Sequence, residues 1–143
     1  ELDHPGHALG YREFSEAQIG ALLPLLHAIV KRYDVPRANV VGHSDVAPHR
    51  KIDPGELFPW ARLAEHGLCL PRPTKLELGD PFDNDGAFYL AMERFGYDIS
   101  DGRKSVEAFQ RRWRPELIDG VIDGEIRAIL FQLLLDRDRG LAR

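Results

Sequence analysis

Apolar residues recur at helical spacing from Ile19 to Tyr33. Ile19, Leu22, Leu23, Leu26, Ile29, Val30 and Tyr33 share one face of a 3.6-residue repeat. Ser15 stands just ahead of them with Gln18 three residues on, the pairing of a capping box, so the pattern predicts a helix from about residue 16 to Tyr33. Pro24 removes one backbone hydrogen bond inside it and predicts a kink. Asp34-Val35-Pro36 closes the helix, and Asn39 to Gly42 reads as a short strand. Phe58 to Ala64 predicts a further short helix with Phe58 and Trp60 as anchors; contact with sugar or peptide is the alternative use of Trp60.

From about Asp83 the pattern is wholly helical. Asp83 or Asn84 caps a segment carrying Phe88, Leu90, Ala91, Met92 and Phe95, which stops at Gly96. Two later segments repeat each other: Asp101-Gly102 precedes Phe109-Gln110 at the interval by which Asp123-Gly124 precedes Phe131-Gln132. The repeat predicts two equivalent capped helices whose phenylalanines enter one core, with Asp119-Gly120 at the turn between them. Leu70-Pro71-Arg72-Pro73-Thr74 reads as a stiff linker, because each proline holds its neighbour extended. The expected organisation is a first domain over 1–69, a linker over 70–82 and a helical domain over 83–143. A three-helix unit of that size is marginal alone and leans on its neighbour.

Composition adds little to this outline. The 143 residues are 43% apolar, enough for a packed core, and a formal charge of -4 gives no reason to expect nucleic-acid binding. A single cysteine, Cys69, excludes an internal disulfide framework and leaves the compartment open. No apolar run has the length of a transmembrane helix. Arg111, Arg112 and Arg114 around Trp113 could face an anionic polymer or stack on sugar, but each reads first as part of an ordinary solvated helix end.

The chemistry concentrates between Val40 and Gly55, where a short apolar run opens into His43-Ser44-Asp45-Val46-Ala47-Pro48-His49-Arg50-Lys51-Ile52-Asp53-Pro54. Imidazole nitrogen and carboxylate oxygen both suit zinc, and a catalytic zinc keeps three protein ligands with one position open. The ten residues from His43 to Asp53 reach about 33 Å when extended, but Pro48, Pro54 and Gly55 favour bends that bring both side chains to one ion. Lys51 stands two residues before Asp53 and would point the same way in extended chain, where an ammonium can stabilise a developing oxyanion. The bland alternative is a polar loop in which His43 caps a strand and Lys51 pairs with Asp53. His4 and His7 form another conceivable metal pair, although loop histidines three apart more often face solvent, and Glu56 and Glu65 read as solvated surface acids.

The run Gly42-His43-Ser44-Asp45-Val46-Ala47-Pro48-His49-Arg50-Lys51-Ile52-Asp53-Pro54-Gly55, followed by Phe58-Pro59-Trp60, closely resembles the type 2 N-acetylmuramoyl-L-alanine amidases, a family of zinc hydrolases. The resemblance implies that His43 and Asp53 are Zn2+ ligands and that Lys51 assists catalysis. The opening Glu1-Leu2-Asp3-His4-Pro5-Gly6-His7 resembles the end of the family's central strand, which places Glu1 on its catalytic glutamate. The implied fold is α/β, the C-terminal part of a mixed-sheet amidase domain, followed by a small all-α three-helix domain. That second half resembles three-helix peptidoglycan-binding domains through Phe95-Gly96-Tyr97, Ala108-Phe109-Gln110, Asp119-Gly120 and Asp123-Gly124. The implied activity is hydrolysis of the amide between N-acetylmuramic acid and L-alanine, with peptidoglycan or muropeptides as partners; a non-catalytic wall-binding fragment is the alternative. The family's first zinc histidine lies before the glutamate, so the third ligand is expected upstream, and a separate N-terminal half of the amidase domain is a candidate partner. Within the chain, His49 and His7 are the other candidates for that ligand.

Overall fold

The computed structural model describes residues 2–76, 81–82 and 84–139. Among the described residues six helices follow in order: α1 (Glu16–Tyr33), α2 (His43–Val46), α3 (Trp60–Glu65), α4 (Asp85–Phe95), α5 (Gly102–Trp113) and α6 (Gly124–Asp138). Short 3-10 turns occupy His7–Leu9 and Arg37–Asn39. None of the helices is long and apolar enough to cross a membrane, among the described residues.

The expected mixed sheet is not there: among the described residues the chain is all helix and loop, with no strand. The β-branched pair before His43 does favour extended backbone, and Val40 (φ -91, ψ 96) and Gly42 (φ -84, ψ 165) adopt it. A strand also needs a neighbour to complete its ladder. Here Val40 N–H turns back 3.3 Å to the Arg37 carbonyl instead, closing the 3-10 turn. The α/β assignment therefore gives way to an all-helical structure. Likewise His43 to Val46, expected as loop, winds into the single turn α2.

Helix α1 begins as its sequence dictates. The Ser15 hydroxyl accepts Gln18 N–H while the Gln18 side chain accepts Ser15 N–H, so two N–H groups without helical partners are satisfied. Its inward face is narrower than the apolar pattern: Ile19 and Leu23 are buried, whereas Ile29 and Tyr33 are exposed. Those two anchors join Phe58, Leu63, Leu68 and Cys69 in a first core, with Phe14, Leu22, Leu26 and Trp60 packed around it. Each fully buried side chain of this kind contributes about 1.5–3 kcal/mol.

The second core gathers α4, α5 and α6 around Phe88, Met92, Val106, Phe109, Trp113, Ile126, Ile129, Leu130 and Leu133. Asn84 caps α4 by accepting Ala87 N–H; Asp83, the other candidate cap, lies outside the described residues. Asp101 and Asp123 cap α5 and α6 in the same way, through Lys104 N–H and Ile126 N–H. The repeat is imperfect at its second phenylalanine. Phe109 is fully buried, while Phe131 is half-buried at the edge, against Phe82. Gln110 is buried too, and its amide organises the α5–α6 turn: its oxygen accepts Asp119 N–H and Gly120 N–H, and its nitrogen donates to Asp119 Oδ1 and the Val121 carbonyl. Leu70 closes this core although Leu68 and Cys69 belong to the first, so the two cores meet where the proline-rich segment begins.

Candidate metal and catalytic site

Backbone bonds fold the His43–Asp53 segment onto itself. Ser44 N–H donates to the Asp53 carbonyl at 2.9 Å, which fixes the start of α2 against Asp53. Arg50 N–H and Lys51 N–H both donate to the Ala47 carbonyl, at 3.1 and 3.0 Å, and turn the chain back. Close packing at Gly42 completes the approach. A Cβ there would lie 2.6 Å from Pro54 Cδ and 3.3 Å from Trp60 Cζ2, so only glycine lets α2 come this near. Gly55 follows at φ +88, where a Cβ would also run into the Tyr11 hydroxyl. That hydroxyl donates to the Pro54 carbonyl at 3.0 Å and accepts Leu57 N–H at 2.9 Å, and burial raises its pKa.

The result is that His43 Nδ1 sits 3.1 Å from Asp53 Oδ2, with both side chains substantially exposed. Lys51, half-buried, lines the same cavity of about 350 Å³, together with Leu2, His4, His7, Tyr11 and Phe14. Three of the four expected site residues thus share one cavity; Glu1 lies outside the described residues. By donor type the imidazole and carboxylate fit zinc as two adjacent ligands. Among the described residues, however, no group of three or more His, Cys, Asp or Glu side chains could hold a metal.

Neither in-chain candidate joins the pair. His49 Nδ1 is 3.4 Å from Asp98 Oδ2, and His7 Nε2 meets Glu56 at 3.0 Å while its ring stacks on Tyr11. Glu56 is accordingly a half-buried partner rather than a solvated acid. His4 is more enclosed than a solvent-facing loop histidine: Nδ1 accepts Gly6 N–H, Nε2 donates to the Arg12 carbonyl, and the ring stacks on Phe14.

Sequence reasoning passed over the residues that hold this segment from behind. Asp45, two places after His43, is buried; its carboxylate accepts Gly42 N–H at 2.7 Å and the Tyr97 hydroxyl at 2.7 Å. Tyr97 in turn accepts Trp113 Nε1–H at 3.2 Å. The Arg112 guanidinium lies 3.4 Å from the ring centroid of Trp60 and 4.6 Å from that of Trp113, with Nε 4.0 Å from Asp45 Oδ2. Burial pushes the Asp45 carboxyl up, against the lowering by Arg112 and by the Gly42 and Tyr97 hydrogen bonds. Burial, then Asp45, pushes Tyr97 well above the usual phenol range. Arg112 and Arg114 are therefore not a solvated helix end. Both are buried, and Arg114 donates to Asp123 Oδ2 at 2.8 Å beside the cap of α6. The available signal was the alternation of arginine with tryptophan, a pairing that favours stacking.

A family model described as N-acetylmuramoyl-L-alanine amidase matches residues 1–56. The N-acetylmuramoyl-L-alanine amidase AmiD of Escherichia coli is 38% identical over 138 residues, covering 87% of this chain and 50% of AmiD. The 1,6-anhydro-N-acetylmuramyl-L-alanine amidase AmpD of Enterobacter cloacae is 41% identical over 50 residues, 35% of this chain and 27% of that protein. Among solved structures, E. coli AmiD in complex with the substrate anhydro-N-acetylmuramic acid-L-Ala-D-gamma-Glu-L-Lys superposes with a TM-score of 0.78 at 36% identity, over 89% of this chain and 55% of AmiD. Pseudomonas aeruginosa AMPDH3 in complex with anhydromuramic pentapeptide gives a TM-score of 0.74 at 31% identity, over 91% and 56%. The chain is homologous to these amidases, and it spans about half the length of AmiD.

Proposed function

We propose that this amidase homologue contributes His43, Asp53, Lys51 and Glu1 to a zinc-dependent hydrolase that cleaves the amide between N-acetylmuramic acid and L-alanine in peptidoglycan or its fragments. The observation that carries the reading is the 3.1 Å approach of His43 Nδ1 to Asp53 Oδ2 in a cavity that Lys51 also lines. His43 and Asp53 would hold the ion, together with a ligand from outside the described residues. Zinc, when bound, supplies Lewis acidity toward water and the amide carbonyl. Lys51 donates to the carbonyl oxygen as negative charge gathers there during addition of water. Glu1, by resemblance, takes the proton of the attacking water and hands it to the departing L-alanine amine as the C–N bond breaks. The helical half, through its resemblance, is assigned to peptidoglycan recognition. We place the division between the two functions in the proline-rich segment 70–82.

The test measures zinc content and amide cleavage on anhydro-N-acetylmuramoyl peptide, with His43→Ala as control and the intact mass of every polypeptide in the sample. Zinc near one per molecule and cleavage, both lost in His43→Ala, are expected. Sedimentation with cell wall in the absence of zinc and cleavage would replace this reading with the wall-binding one.

A further inference from the structure

Behind Lys51 the loop and helix α5 enclose a second cleft, of about 210 Å³, which shares Lys51 with the His43 cavity. The loop contributes His49, Arg50 and Lys51; α5 contributes Lys104, Glu107 and Arg111, which fall on one helical face. Four permanent cations thus surround one carboxylate, and that carboxylate is already engaged: Glu107 Oε1 accepts Arg103 Nε–H at 3.0 Å. The other acids nearby are also met. Glu56 faces His7 and lies 3.7 Å from Arg111, Asp98 faces His49, and Asp101 lies 3.6 Å from Lys104. Among the described residues no carboxylate pairs with Arg50 or Lys51, while the buried Nε of Arg111 faces Glu56 Oε2 at 3.7 Å, beyond hydrogen-bond reach. Lys104 Nζ donates to the His49 carbonyl at 3.0 Å, which ties the helix to the loop across the cleft.

A cleft in which cations outnumber carboxylates raises the local concentration of opposite charge. The ligand is therefore an anion, and its place beside Lys51 restricts which one. Under the hydrolytic reading proposed above, on which this inference rests, the sugar side of the scissile amide is uncharged. The peptide side carries, one residue beyond L-alanine, the free α-carboxylate of a γ-linked glutamate. We infer that the cleft of Arg50, Lys104 and Arg111 is the subsite for that carboxylate, so that the leaving peptide is held by charge next to Lys51.

The test compares two probes, the tripeptide L-Ala-D-γ-Glu-L-Lys and its counterpart with the glutamate α-carboxylate converted to carboxamide. Binding to the protein is read by calorimetry, and cleavage of the corresponding anhydro-N-acetylmuramoyl substrates is read separately. The carboxylate form is expected to bind about fivefold tighter. Lys104→Gln and Arg50→Gln, both at exposed side chains, should each reduce that preference and leave affinity for the carboxamide where it was. Equal binding of the two probes, or a preference untouched by both substitutions, overturns the subsite whether or not cleavage occurs. A preference that the substitutions erase, in a protein that cleaves neither substrate, keeps the anion subsite and removes the hydrolytic reading instead.

Discussion

Tyr97 Oη donates a 2.7 Å hydrogen bond to Asp45 Oδ1, and so joins the helical half of the chain to the helix that begins with His43. The two residues are 52 positions apart, and both are buried. Because Asp45 Oδ2 also accepts Gly42 N–H, the carboxylate fixes the residue just before His43 as well. Tyr97→Phe removes the donor without leaving a cavity. It deprives Asp45 of one bond and Trp113 Nε1–H of its acceptor. Leaving such groups unpaired costs about 1–3 kcal/mol, so the urea midpoint should fall at unchanged slope. A Tyr97→Phe/Asp45→Asn double-mutant cycle should give a coupling energy clearly different from zero. Additive effects would show that the bond does not link the halves.

Arg112 fills the space between Trp60 and Trp113, with its side chain only 5% exposed. A planar cation desolvated between two rings is worth about 2 kcal/mol or more. Arg112→Ala should therefore destabilise by several times the cost of a surface arginine change. Arg112→Lys should recover only part of the loss, because an ammonium cannot stack as a plane. Thermal unfolding monitored by tryptophan fluorescence checks both. Full recovery in the lysine variant would mean that charge alone matters.

The features legible in the sequence are those whose cause is local. Ser15 and Gln18 are three residues apart, as are Asp101 and Lys104, and a cap is complete within that span. His43 and Asp53 stand out because donor chemistry limits what such a loop can do. The burial of Asp45 and Arg112 has no local cause. It arises where segments some 50 residues apart meet, and a helical repeat gives Arg112 no partner to predict it by. The expected strand shows the same limit from the other side. Val40 has the extended backbone its type favours, but its N–H bonds back to Arg37, and sheet membership depends on a neighbour that propensity does not encode.

The α5–α6 turn makes stability depend on pH in a definite direction. Asp119 accepts Val121 N–H first and the Gln110 amide second, and both hold its carboxyl below the usual 3.8. The folded value being lower than the unfolded one, the contribution is complete above 3.8 and disappears as pH falls through the folded value. Asp98, held down by Ser100 N–H, adds a loss of the same sign. Urea midpoints taken from roughly pH 5 to pH 2 should fall, and Asp119→Asn should flatten the curve. An unchanged acid slope in that variant would mean the carboxylate contributes nothing there.

Lys51 separates the hydrolytic proposal from a site that only binds. It is half-buried in the cavity of His43 and Asp53, and among the described residues no carboxylate pairs with it, so its ammonium remains available to a ligand oxygen. If it stabilises charge that develops only as the amide is attacked, Lys51→Ala should lower kcat and leave KM nearly constant. Losing one such donor costs about 3 kcal/mol, roughly a hundredfold in kcat. Zinc content should hold, because the lysine is not a ligand, whereas His43→Ala should lose metal and activity together. The two variants thus make different demands of one cavity. A Lys51→Ala variant that raises KM at constant kcat would place the ammonium on bound substrate rather than on the transition state, and would move Lys51 from the chemical step into the adjoining anion subsite.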